Sequence, residues 1–234
     1  MLEGKQVTIR NWLKFSSVAL LLGFLGAVIT SFFVRADAYL EYMNPLDFWE
    51  LTGTFLWFSV LGLLYSVISQ MGFFAYLTVH QFGRGFFGYF WKHAQIVIIA
   101  IVLFDLVYLR YTRVDEPGSI FPYIVVAGVL FIYSLAVAYV KKEETHPRAF
   151  LPAVFFMTVV TALEWIPGLR TNDPDTMMIM IVPLVACNTY QLLRLHHIVG
   201  YTNEKGEEVG MPNKAEDVQK RRPTDTKKKN KKSK

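Results

Sequence analysis

Few residues in this 234-residue sequence have the type and spacing to do chemistry. Gly83-Arg84-Gly85-Phe86-Phe87-Gly88 has the G-x-G-x-x-G spacing that brings backbone N–H groups to a dinucleotide pyrophosphate, and Asp105 follows at about the twenty-residue spacing of a ribose-binding acid. That fingerprint needs a strand, a turn and a helix in one βαβ unit. Here the glycines stand among aromatics and Asp105 lies in an apolar stretch of membrane character, so the segment reads as an interfacial loop. Glu143-Glu144-Thr145-His146-Pro147-Arg148 spells E-E-x-x-x-R, a pattern of intramembrane metalloproteases whose glutamates sit on a membrane helix and meet histidines from later helices. Pro147 breaks this stretch, and the later histidines, His196 and His197, are adjacent to each other near the end of the last apolar run. It reads as a solvated charged turn. No H-E-x-x-H, G-x-S-x-G or P-loop pattern occurs. The sequence therefore predicts no enzyme, no cofactor, no metal and no evident small-molecule substrate.

What remains are polar residues where lipid makes them costly. Asp105 is the most informative. An aspartate at the centre of a membrane helix costs about 2.5–3.5 kcal/mol on insertion scales, and such residues are functional hypotheses by default. Its alternatives are a pairing with Arg110 or water at the interface, and a polar contact across helices or with a partner protein. Gln70, Asn188 and Gln191 can hydrogen-bond between helices, and the spacing of the last two puts them on one helix face. His80 reads as an interfacial hydrogen-bonder with no second metal ligand at the required spacing. Glu164, beside Trp165, is expected near the outer interface. Gln70 and Gly72 sit where a break in a helix would be useful.

The elements that must position these residues follow from long uncharged runs. The chain is 53% hydrophobic and 18% charged, below the quarter or so that soluble domains carry. About 20 apolar residues span a bilayer. Spans are predicted over residues 15–34, 51–79, 94–109, 121–140, 149–166 and 177–195, giving an all-α integral membrane protein of about six transmembrane helices. The run Leu51–Val79 is too long for one ordinary span. Residues 69–79 either extend it as a tilted helix, the favoured reading, or turn back as a partly re-entrant segment. Ala36-Asp37-Ala38 has the form of a signal-peptidase site, but the apolar stretch before it is too long and Arg35 intrudes, so no cleavage is expected. The domains read as a cytoplasmic N-terminus (1–14), a six-span domain (15–199) and a disordered basic tail (200–234).

Charge sets the orientation. The tail from Tyr201 holds eleven of the 24 Lys/Arg and six of the 19 Asp/Glu, which leaves residues 1–200 neutral. The basic balance belongs to the tail, and nucleic-acid binding by the body has no support. Loops on one side carry Lys5, Arg10, Lys14, Arg84, Lys92, Lys141, Lys142, Arg148 and Arg194, against Arg35, Arg110, Arg113 and Arg170 on the other. The positive-inside rule then gives both termini in the cytoplasm. The tail is expected to meet the anionic leaflet of the bilayer. Cys187 is the single cysteine, so no intramolecular disulfide is possible.

Ser69-Gln70-Met71-Gly72-Phe73-Phe74-Ala75-Tyr76-Leu77-Thr78-Val79-His80, then Phe82-Gly83, resembles the characteristic stretch of the KinB-signalling pathway activation (KbaA) family of endospore-forming Firmicutes. Leu103-Phe104-Asp105-Leu106-Val107-Tyr108 and Arg110-Tyr111 are similar to it as well, within a six-span layout over roughly residues 10–200. The resemblance implies an accessory protein of the cell membrane that activates a membrane sensor histidine kinase, KinB-like, feeding the sporulation phosphorelay. It carries no established functional residues with it. Gln70, Gly72, His80 and Asp105 are the candidate partner-binding positions, because they are polar or helix-breaking within the matching stretches. From another class comes a small transporter or channel with a polar pathway around Asp105 and Gln70.

Overall fold

The computed structural model describes residues 9–43, 46–112, 119–171, 173–199, 201–202 and 208–209. Among the described residues through 199 everything regular is helical: α1 (Ile9–Val34), α2 (Ala36–Met43), α3 (Phe48–Phe87), α4 (Phe90–Tyr111), α5 (Phe121–Glu144), α6 (Phe150–Phe155), α7 (Thr161–Thr171) and α8 (Pro174–Val199). A 3₁₀ turn, Pro147–Ala149, leads into α6, and a π-helical segment, Phe156–Val160, joins α6 to α7. Six stretches are long and apolar enough to cross a membrane, namely Asn11–Val34, Phe48–Phe87, Phe90–Tyr108, Phe121–Glu144, Pro147–Thr171 and Pro174–His196.

The helices overrun the ends expected from hydropathy. Residues 69–79 continue α3 without a break at Gln70 or Gly72, and so does most of the expected loop 80–93. At 40 residues α3 is about 60 Å long, twice the thickness of a bilayer's hydrocarbon core. Asp47 caps its start, its carboxylate accepting from the N–H groups of Trp49 and Glu50. The expected loop 35–50 contains α2, built from the good helix formers Ala36, Ala38, Leu40 and Glu41.

Residues Thr8–Arg194 form one compact unit. Within it α1 and α3 pack closely because small residues meet at their crossing. A Cβ on Gly23 would fall 1.9 Å from Ser66 Oγ and 2.7 Å from the Gly62 carbonyl oxygen, and one on Gly62 would fall 2.5 Å from the Gly23 carbonyl oxygen. Such approach is how helices associate where there is no hydrophobic force between them. On a second side of α1, Gly26 lies against Pro183 of α8, a Cβ there meeting Pro183 Cα at 3.1 Å. The buried rings of Phe15, Phe73 and Phe156 continue the core, Phe73 meeting Phe15 at 5.9 Å and Phe156 at 5.6 Å between centroids.

A second unit takes in the chain from Leu195 onward. Besides the end of α8, its described part is a pair of two-residue antiparallel strands, β1 (Tyr201–Thr202) and β2 (Glu208–Val209), with Tyr201 opposite Val209. The sequence reading expected disorder from residue 200. These four residues are instead paired, in keeping with the strand preference of tyrosine, threonine and valine. The rest of the basic tail lies outside the described residues.

Candidate functional site

The inward face of α3 is set by spacing. Ser59, Gly62, Ser66, Ser69, Phe73 and Tyr76 recur every three or four residues and all are buried. Serine hydroxyls so placed can bond sideways to neighbouring helices, and two of them do. Ser66 Oγ donates to the Ala19 carbonyl oxygen at 2.9 Å, an acceptor it shares with the Cys187 thiol at 3.2 Å. One turn further on, Ser69 Oγ donates to Asn188 Oδ1 at 2.7 Å and accepts from Gln191 Nε2 at 3.1 Å. Asn188 and Gln191 thus use the common face of α8 that their spacing predicts.

Asn188 continues the chain of bonds into α7. Its Nδ2 donates to Thr161 Oγ1 at 2.9 Å and to Glu164 Oε2 at 2.7 Å. Ser69, Thr161, Asn188 and Gln191 are fully enclosed and Glu164 is 8% exposed. Glu164 is therefore a core residue, not an interfacial one. The expected span ended at Ile166, whereas α7 runs on to Thr171, which moves Glu164 inward from the end. The second carboxyl oxygen, Oε1, lies against α3 where Gly72 has no side chain: a Cβ there would sit 1.8 Å from it. Gly72 makes room for a carboxyl group and does not break the helix. Among the described residues Glu164 Oε1, Gln191 Oε1 and Thr158 Oγ1 have no hydrogen-bond partner. The π segment at Phe156–Val160 lies beside this polar cluster, and such segments concentrate at functional positions.

The four candidate positions separate into two kinds. Gln70 accepts from Ser16 Oγ of α1, Gly72 receives the Glu164 carboxyl, and His80 accepts at Nδ1 from Trp91 Nε1 of α4 at 3.2 Å, with Gln95 Nε2 at 3.5 Å. An Nδ1 that accepts leaves the ring proton on Nε2. These three hold α3 to α1, α7 and α4. Asp105 does the opposite. It is exposed on α4 in an outward stripe with Ile101, Phe104 and Tyr108, the two rings stacked at 5.1 Å. No hydrogen bond or ion pair joins Asp105 to another described residue; the side chain of Arg110, its expected partner, lies outside them. Gln70 and Asp105 do not face a common pathway, since one is held against α1 and the other points away from the helices.

At the other end of the bundle, Arg35 bridges two helix ends, reaching Asp173 Oδ2 at 3.3 Å and Asp175 Oδ2 at 3.3 Å. Asp173 is held below the usual aspartate range, first by the Thr176 hydroxyl, which donates to it at 2.5 Å, and then by the Thr176 amide at 3.0 Å. Arg35 adds a smaller effect in the same direction.

Among the described residues no three His, Cys, Asp or Glu side chains gather at metal-binding distance. Of the four candidate positions, Gln70, Gly72 and His80 join helix to helix, and Asp105 faces outward. This defines a class: a helical protein with six helices long and apolar enough to cross a membrane, whose buried polar side chains fix the packing of those helices. Residues 23–198 match the family described as KinB-signalling pathway activation in sporulation, and the chain belongs to that family, KbaA. It is 36% identical over 189 residues to the KinB-signaling pathway activation protein of Bacillus subtilis (strain 168), an alignment covering 80% of this chain and 96% of that relative. No solved structure matches it.

Proposed function

We propose that this protein is a multi-pass accessory protein of the cell membrane, both termini cytoplasmic, that activates a KinB-like sensor histidine kinase and so feeds the sporulation phosphorelay. It does this by packing laterally against the kinase's own membrane helices. The family and the relative support the pathway. The observation that carries the mechanism is Asp105, an exposed carboxylate on an apolar helix face with no partner among the described residues. Its cost in lipid falls when a neighbouring helix supplies a donor or a cation. Gln70, Gly72 and His80 support that face indirectly, by fixing α3 against its neighbours. Binding one signalling state of the kinase more tightly than the other shifts the kinase's population, and only a difference in affinity can do so.

A photoreactive residue at Phe104, beside Asp105 and 61% exposed, tests this in sporulating cells. Crosslinks to a sensor histidine kinase that disappear in Asp105→Asn, at equal protein level, are the expected result. Crosslinks to lipid alone, or an Asp105→Asn chain that activates sporulation as well as the parent, would overturn the mechanism.

A further inference from the structure

Past His80, α3 runs on for two turns into a corner unlike the rest of the molecule. Of residues 81–90 only Gly83 is buried. It is buried by Trp91, whose indole would lie 2.5 Å from a Cβ at that position. Phe87 stacks on the same indole at 6.2 Å between centroids. Gly88, at φ +50°, caps α3 through its N–H to the Arg84 carbonyl at 3.1 Å and turns the chain into α4. The corner is thus a built scaffold, anchored by Trp91 to His80.

What the scaffold displays is apolar and cationic together. Phe82, Phe86, Phe87, Tyr89 and Phe90 are 58% to 81% exposed. Arg84 and Lys92 are exposed among them, and the sequence has no acid from Leu51 through Phe104. A groove runs along Gln81, Phe82, Gly85 and Phe86, open at Gly85, where nothing lies within 4 Å of an added Cβ. Exposure covers every side of this end of α3 except that of Gly83. A single protein partner covers one side, whereas a layer of headgroups surrounds. Amphipathic and aromatic rings collect at that layer, and cations beside it attract anionic lipid.

We propose that the α3–α4 corner binds an anionic phospholipid, the acyl chain lying along the groove at Phe82 and Phe86 and the phosphate met by Arg84 and Lys92. This goes beyond the activator reading and does not depend on it. The test uses the full-length protein in nanodiscs of phosphatidylcholine containing graded phosphatidylglycerol, with a photoreactive residue at Phe86 and adducts identified by mass spectrometry. Phosphatidylglycerol adducts should exceed its share of the bilayer. In the double variant Arg84→Gln, Lys92→Gln the content needed for half-maximal capture should rise roughly thirtyfold, which abolishes the preference. Arg221→Gln with Arg222→Gln, in the tail, should leave the preference intact, and circular dichroism should show all variants equally helical. Equal capture of the two lipids, or a preference that survives the corner variant, would overturn the proposal. So would adducts mainly to a second copy in the discs, or to another protein when the same probe is used in native membranes.

Discussion

Replacing Gly72 by alanine separates two roles for a glycine inside a membrane helix. If Gly72 served flexibility, alanine would straighten α3 and do little harm. The geometry predicts a clash. The new Cβ would lie 1.8 Å from Glu164 Oε1, 2.9 Å from its Cδ and 3.1 Å from Val160 Cγ1. Val160 belongs to a wholly buried stretch, so relief must come from the carboxyl group. That group is held by Asn188 Nδ2 at 2.7 Å, and moving it breaks the bond. Overpacking costs about 1–3 kcal/mol, and the lost interhelical hydrogen bond adds about 0.6 kcal/mol. Alanine's better helix propensity returns about 1 kcal/mol. The net is a destabilisation of roughly 0.5–2.5 kcal/mol, a fall of a few degrees and at most about 10 °C in unfolding midpoint for a chain of this size. Thermal unfolding of the purified protein in detergent, followed by tryptophan fluorescence, reads it. The decisive arm is the Glu164→Ala background, where the obstacle is gone and Gly72→Ala should be neutral or stabilising. An equal loss in both backgrounds would refute the reasoning, because the clash would then lie elsewhere.

Asn188→Ala removes bonds to Ser69, Thr161 and Glu164 and should cost about 2 kcal/mol, taking about 0.6 kcal/mol for each. Gln70→Ala loses the bond to Ser16 alone and should cost about a third of that, both read by the same unfolding assay. At the opposite end of the bundle the sign with pH is fixed by Asp173, whose carboxyl titrates below its ordinary value. A group with a depressed folded pKa stabilises above its unfolded value, near 3.9 for aspartate, and that contribution fades as pH falls through the folded one. The parent's unfolding midpoint should therefore decline over that acid range, and the Asp173→Asn variant should show a shallower decline from a lower neutral-pH value.

The parts of this molecule that were legible in the sequence are those that depend on one segment at a time. An apolar run long enough to cross a bilayer is such a property, and six of them are found as helices. The common face of Asn188 and Gln191 is another, since spacing on one helix decides it. Helix ends were less legible because they are settled by neighbours: α3 continues through Gly83 because Trp91 covers it, and α7 continues past Ile166. Partners were not legible at all. Ser69 and Gln191 lie 122 positions apart, and nothing local says that α3 and α8 adjoin. The same gap covers Glu164 and Gly72, neither of which is legible alone. A carboxylate near a predicted span end reads as interfacial, and a glycine inside a span reads as a break, until the two are seen to occupy one space. In lipid, where helices gain little from excluding water, a small residue more often marks close approach than flexibility. Gly23 and Gly62 mark it for a backbone, Gly83 for an indole and Gly72 for a carboxyl group. What each of these glycines does is decided by the residue across from it, and among the described residues only Gly88, at positive φ, is needed for its own backbone freedom.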